Sequence, residues 1–152
     1  IKTGGNIVNI TADMWNGMPG MSHSGAARSG MDNLTKTLAY EWGYAGVRVN
    51  SVAPGYIASS GLDTYDDGII KEIIPKLKKI VPLKRMGTEA EVSAAVCFLL
   101  SEAAAYINGI CIQVDGGSPL GSNFWPLKET KKHEPFDGFH LSKLPDALDG
   151  KL

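Results

Sequence analysis

The apolar run Asn6-Ile7-Val8-Asn9-Ile10-Thr11, flanked by Gly4-Gly5 and the loop Asn16-Gly17-Met18-Pro19-Gly20, has the length and continuity of a buried parallel strand. Past the loop, Ala27, Met31, Leu34, Leu38 and Trp42 recur at three- and four-residue spacing, which predicts a helix with those residues as its core stripe. Ser22 or Ser24 can cap its start, and a glycine between Gly43 and Gly46 can end it in the left-handed conformation. Val47-Arg48-Val49-Asn50-Ser51-Val52-Ala53, closed by Pro54-Gly55, predicts a second strand. Strand, long helix and strand form a βαβ unit with a right-handed crossover, so the sheet is expected to be parallel.

Beyond Ser59 the pattern changes. Ile69, Ile70, Ile73, Ile74, Leu77 and Ile80 make an apolar stripe with Pro75 inside it, which must kink the helix or start a second one. The stripe suits either core packing or a cover over an apolar ligand. Thr88-Glu89-Ala90-Glu91 is a capping box, opening a helix through Val92, Ala95, Val96, Phe98, Leu99 and Leu100. A third strand, Ile110-Cys111-Ile112-Gln113-Val114, ends at Asp115-Gly116-Gly117. Residues 118–149 carry four of the eight prolines and no periodicity, so an irregular tail is expected over 118–152.

Composition adds exclusions. The 152 residues suffice for one core, and 15 Lys plus Arg against 16 Asp plus Glu leave no field that gathers nucleic acid or an anionic membrane. No apolar stretch is long enough to span a bilayer. Cys97 and Cys111 lie in apolar surroundings with no metal-ligand spacing, so they read as reduced core residues and no metal is expected. The chain opens without Met just before a strand, which reads as a portion of a longer protein. Lys76, Lys78, Lys79, Lys84 and Arg85 cluster beside the apolar stripe, either as a solvated helix face or as cations for a phosphate-bearing ligand.

The strand ending in Asn9-Ile10-Thr11, the helix with Ala27-Arg28-Ser29-Gly30, the run Arg48-Val49-Asn50-Ser51-Val52-Ala53-Pro54-Gly55 and the close Val114-Asp115-Gly116-Gly117 together resemble the C-terminal half of the short-chain dehydrogenase/reductase family. The resemblance implies an α/β fold, a Rossmann-like doubly wound parallel sheet of which only the C-terminal portion lies within residues 1–117. His23-Ser24-Gly25-Ala26-Ala27-Arg28 followed by Asn33-Leu34-Thr35-Lys36 is most similar to the peroxisomal trans-2-enoyl-CoA reductases. The family's Gly-rich phosphate loop is not among these residues, so the chain alone is expected to bind a dinucleotide poorly and to leave a sheet edge unpaired.

The family places a Tyr and a Lys four residues apart, where this chain has Ser24 and Arg28. Arg28 can still hold ribose hydroxyls, as a fork and not a point charge. Ser24 can donate a hydrogen bond to an oxyanion but is a poor acid, which disfavours carbonyl reduction. Reduction of an enoyl thioester asks less of that position: hydride adds to the β-carbon, and donors stabilise the enolate that develops on the thioester oxygen. The 2,4-dienoyl-CoA reductases also resemble this chain in having Ser there.

His23 can relay a proton beside Ser24. The family's catalytic Ser falls on Ala12 counted along the strand and on Thr11 counted back from Ser24; only Thr11 can donate. Pro54, Gly55 and Ile57 match the loop that holds the nicotinamide carboxamide, and Ser59 matches a hydroxyl that meets the pyrophosphate.

The expected function is therefore NADPH-dependent reduction of the 2,3 double bond of a trans-2-enoyl-CoA. The alternatives are a dienoyl-CoA or other short-chain reductase and a non-catalytic oligomer partner. Small residues at Ala26 and Gly30 suit close approach of a second copy, and the family implies a homo-oligomer. Gly150-Lys151-Leu152 resembles the Ser-Lys-Leu peroxisomal address, the other compartment being the cytoplasm. Asn9-Ile10-Thr11 and Asn33-Leu34-Thr35 match the glycosylation pattern by chance.

Overall fold

The computed structural model describes residues 4–64 and 67–120. The tail from 121 on, with Gly150-Lys151-Leu152, lies outside the described residues, as do the side chains of Ile69, Ile70 and Lys78. Two compact units are present, one built from the chain up to Pro54 with Ala94–Gln113, the other from Gly55–Ser93 with the chain from Val114.

In the first unit, strand β1 (Gly5–Ile10) is followed by helix α1 (Ser22–Trp42) and strand β2 (Val47–Pro54). β1 and β2 are parallel, with Asn6 opposite Arg48 and Asn9 opposite Ser51, as the βαβ pattern requires. α1 stops where expected: Gly43–Ala45 forms one 3-10 turn, and Gly46, at φ 74°, closes it.

In the second unit, the short strands β3 (Ile57–Ala58) and β4 (Gly87–Thr88) pair in parallel, with helix α2 (Asp67–Ile80) between them in sequence. Helix α3 (Glu89–Leu100) and strand β5 (Cys111–Val114) complete the described elements, and the main sheet has the order β1-β2-β5.

Residues three apart on a strand leave opposite faces. Asn6 Nδ2 donates to Leu100 O at the end of α3 (3.0 Å), and Asn9 Nδ2 donates to Thr35 Oγ1 on α1 (2.9 Å). The first unit therefore has helical backbone on one face and α1 on the other, the doubly wound arrangement. Arg48, beside Asn6, also satisfies the orphan carbonyls at the end of α3: Nη2 donates to Leu99 O (2.9 Å) and Ser101 O (3.1 Å). Asn50 donates to Ile107 O (3.0 Å) and accepts from Ile110 N (3.1 Å). The Arg48-Val49-Asn50 run thus ties strand to helix end and return loop.

Several expectations are corrected. β1 is not buried: Ile7 is exposed and Ile10 is 52% exposed, because among the described residues β1 pairs with β2 alone. The residue preceding α1 is Met21, and neither Ser22 nor Ser24 caps the helix; both lie inside it. The face of α1 turned inward is also not the apolar stripe. Its buried residues are Asp32, Thr35 and Ala39, while Ala27, Leu34 and Trp42 are exposed. At about 100° per residue, the buried set lies roughly a third of a turn from the Ala27–Leu34 flank. The polar strip faces in because Asn9 needs a partner there and finds Thr35. Cys97 is exposed and not a core residue; Cys111 is half-buried, and neither forms a disulfide among the described residues.

In the second unit Pro75 lies inside a single helix, α2. Ile74 and Leu77 pack with Ala58 and Met86, whereas Ile73 and Ile80 on the same stripe are exposed. The capping box forms as read: Glu91 N donates to Thr88 Oγ1 (3.3 Å), and Thr88 N donates to Glu91 Oε2 (2.9 Å). Arg85 grips the same carboxylate with both Nη atoms at 2.9 and 2.6 Å. The basic cluster is correspondingly divided, Arg85 facing Glu91, Lys76 facing Glu72, and Lys84 donating to Lys79 O.

Candidate active site

The loop from Ala12 to Met21 sets the start of α1. Asp13 N donates to Pro54 O (3.0 Å), holding the loop to the end of β2. Two turns follow, Gly17 N to Met14 O and Met21 N to Met18 O, with Gly17 and Gly20 at φ 81° and 82°. The loop then presses on the helix. Met14 is buried and its Sδ accepts from Ser29 Oγ (3.5 Å), while a Cβ at Gly25 would stand 3.3 Å from Met18 Cβ. Nothing in the sequence marks these two methionine clamps, since a loop methionine has no periodicity.

On the helix so placed, Ser24, Arg28, Asp32, Thr35 and Ala39 fall within a sector of about 80°. Ser24 and Arg28 are half-buried, one turn apart, and the Ser24 hydroxyl makes no hydrogen bond among the described residues. Arg28 Nε is buried and lacks an acceptor among the described residues. One turn on, buried Asp32 is held by Lys36 Nζ at 2.7 Å. The hydrogen bond from Lys36 to Asp32, and then the carboxylate's charge, raise the Lys36 ammonium above its usual range. This pair was legible as an acid and a base four residues apart on a helix.

The other candidates lie differently. His23 is exposed beside Ser24. Thr11 is buried, and its Oγ1 donates to Val52 O (3.2 Å) and lies 3.8 Å from Cys111 Sγ, so its proton is committed to the sheet. In the second unit, Gly55 N donates to Val114 O (3.0 Å), and a Cβ at Gly55 would come within 2.7 Å of Asp115 Cα, so only glycine fits. The Ile57 side chain lies against Gly87, where an added Cβ would meet Ile57 Cδ1 at 2.7 Å. Ser59 O accepts from Leu62 N (2.9 Å), opening the 3-10 turn Ser60–Thr64. Among the described residues no cluster of His, Cys, Asp or Glu could hold a metal, and no helix is long and apolar enough to cross a membrane.

Comparison with known proteins places this geometry. Residues 1–118 match the family model described as enoyl-(acyl carrier protein) reductase. A Bacillus subtilis (strain 168) protein named "Probable 2,4-dienoyl-CoA reductase [(2E)-enoyl-CoA-producing]" is 42% identical over 122 residues, covering 78% of this chain and 47% of its own length. A peroxisomal 2,4-dienoyl-CoA reductase of Danio rerio is 43% identical over 122 residues, covering 78% and 40%. The chain thus spans about half the length of the curated relatives it matches.

Among solved structures, a citronellol catabolism dehydrogenase of Pseudomonas aeruginosa PAO1 shares 57% identity at a TM-score of 0.63, covering 77% of this chain and 43% of that one. A structure from Agrobacterium tumefaciens, described as a 2-deoxy-d-gluconate 3-dehydrogenase with bound NADP, shares 36% identity at a TM-score of 0.68, covering 78% and 48%. The parallel βαβ unit, the helices on both faces of the sheet and the match over residues 1–118 agree: this chain belongs to the short-chain dehydrogenase/reductase family of oxidoreductases, of whose Rossmann-like fold it holds a part.

Proposed function

We propose that the chain is the C-terminal part of a reductase that uses NADPH to saturate the 2,3 double bond of a trans-2-enoyl-CoA. The observation that carries this reading is Ser24 with a free hydroxyl, one helical turn before an Arg28 that has no partner among the described residues. Carbonyl reduction needs a proton donor of moderate pKa at the Ser24 position, and an aliphatic hydroxyl is far too weak an acid. An enolate forming on a thioester oxygen needs a hydrogen-bond donor only, which a serine supplies. With the Thr11 proton held by Val52 O, that donor is Ser24. His23, exposed next to it, is proposed to relay a proton to the site.

Arg28 is half-buried and makes no ion pair among the described residues, and its planar guanidinium is a donor fork that fits the ribose hydroxyls of NADPH. When bound, NADPH supplies the hydride. Arg28 orients the ribose with a planar, permanently charged fork. The backbone at Pro54, which closes the first unit, and at Gly55 and Ile57 with the hydroxyl of Ser59 in the second unit are proposed as further cofactor-binding groups.

A second reading, reduction of a 2,4-dienoyl-CoA, is favoured by the names of the curated relatives. It uses Ser24 in the same way on a longer conjugated system. We also propose a homo-oligomer packed through Ala26 and Gly30, both exposed on α1. The test is NADPH oxidation by the full-length protein with 2-enoyl-CoA, 2,4-dienoyl-CoA and 3-ketoacyl-CoA. Turnover of the enoyl substrate supports the first reading and turnover of the dienoyl substrate alone the second; turnover of the ketone alone overturns both.

A further inference from the structure

Arg28 and Asp32 stand four residues apart on the inward face of α1, a spacing at which opposite charges on a helix can meet. They do not meet here. Asp32, 7% exposed, takes Lys36 Nζ at 2.7 Å, and Arg28 makes no ion pair among the described residues. The choice has a physical reason: an acid followed by a base at this spacing is favoured over the reverse order. Lys36 also reaches Asp32 with its ammonium in water, its side chain being 60% exposed, whereas Arg28 is half-buried.

We infer that Lys36 is a positioning residue for the cofactor site: by holding Asp32 it keeps the Arg28 guanidinium unpaired and open to the ribose of NADPH. The inference rests on the proposed reductase reading. A buried carboxylate without a cation is costly, so loss of Lys36 would drive Asp32 to the cation one turn back on the same helix, Arg28. The bidentate fork would then be closed by an internal acid and withdrawn from the ligand.

The test uses the full-length protein and three variants, Lys36→Gln, Lys36→Arg and the double variant Asp32→Asn/Lys36→Gln. NADPH binding is measured by titration, and the rate at which phenylglyoxal labels Arg28 is measured by mass spectrometry without nucleotide. Lys36→Gln is expected to weaken NADPH binding about three- to tenfold, the scale of one charged pair, and to slow Arg28 labelling. Lys36→Arg should match the wild type, and the double variant should recover both readouts, a recovery that a merely structural role of Lys36 does not produce. Unchanged labelling in Lys36→Gln overturns the inference and leaves the reductase reading standing. Slowed labelling with unchanged NADPH binding overturns the inference and the assignment of Arg28 to the ribose together. A wild-type protein that binds no NADPH overturns the reductase reading itself.

Discussion

Asn9 on β1 donates its side-chain amide to Thr35 Oγ1 on α1 across 2.9 Å, and Thr35 passes its own proton to Met31 O at 2.8 Å. This short chain fixes how α1 is turned on the sheet, and therefore which way Ser24 and Arg28 point. Thr35 is 1% exposed, so a valine there fits the space but leaves the Asn9 amide short of an acceptor. Thr35→Val is expected to cost about 1–3 kcal/mol, the scale for stranding a buried polar group. Chemical denaturation of the full-length protein measures it. A cost below that range would mean that apolar packing, and not this hydrogen bond, orients the helix.

Ser51 makes the opposite case. Its side chain is fully buried and its Oγ has no partner among the described residues. Ser51→Ala removes a hydroxyl that is dehydrated without compensation, so stability should stay level or rise by about 1 kcal/mol. A thermal melt that falls instead would reveal a partner for the hydroxyl.

Two glycines should respond in contrary ways. At Gly55 an added Cβ meets Asp115 Cα at 2.7 Å, and backbone cannot step aside cheaply, so Gly55→Ala should destabilise by about 1–3 kcal/mol. At Gly30 nothing lies within 4 Å of the added atom, so a larger side chain leaves this chain's fold intact. Gly30→Leu is therefore expected to disturb only a second copy packed there, lowering the mass seen by light scattering towards a monomer. An unchanged oligomer would remove Gly30 from the contact.

Two ion pairs give the pH dependence its sign. Lys36 is raised above 10.5 by the hydrogen bond to Asp32 and by that carboxylate's charge. A base raised on folding stabilises fully below its unfolded value and loses that contribution as pH climbs through the folded one. Glu72 is lowered below 4.5, first by the hydrogen bond from Lys76 and then by its charge. Its contribution is present above 4.5 and is lost as pH falls through the lowered value. Stability measured against pH should therefore lose part of its alkaline slope in Lys36→Gln and part of its acid slope in Glu72→Gln. Slopes that survive these substitutions would assign them to other groups.

Local rules account for what the amino-acid sequence made legible. The strand-helix-strand order, the left-handed stop at Gly46 and the reciprocal Thr88–Glu91 cap depend on neighbours a few residues away, and each formed as read. The orientation of α1 was not legible, because periodicity counts apolar residues while the sheet offered α1 a polar partner in Asn9. The exposure of Ile7 and Ile10 was hidden for a related reason: burial depends on what covers a strand, and its own residues do not say. For the site, the spacing of Ser24 and Arg28 was visible along the chain. The buried, unpaired Nε of Arg28 and the clamps of Met14 and Met18 are properties of three dimensions alone.

In the proposed reaction the Ser24 hydroxyl stabilises a developing enolate. The most direct test is kcat for trans-2-enoyl-CoA in the full-length Ser24→Ala variant at saturating NADPH. Loss of one preorganised oxyanion donor predicts a fall of about 100- to 1000-fold with little change in KM. A kcat equal to that of the wild-type protein would exclude Ser24 as the oxyanion donor.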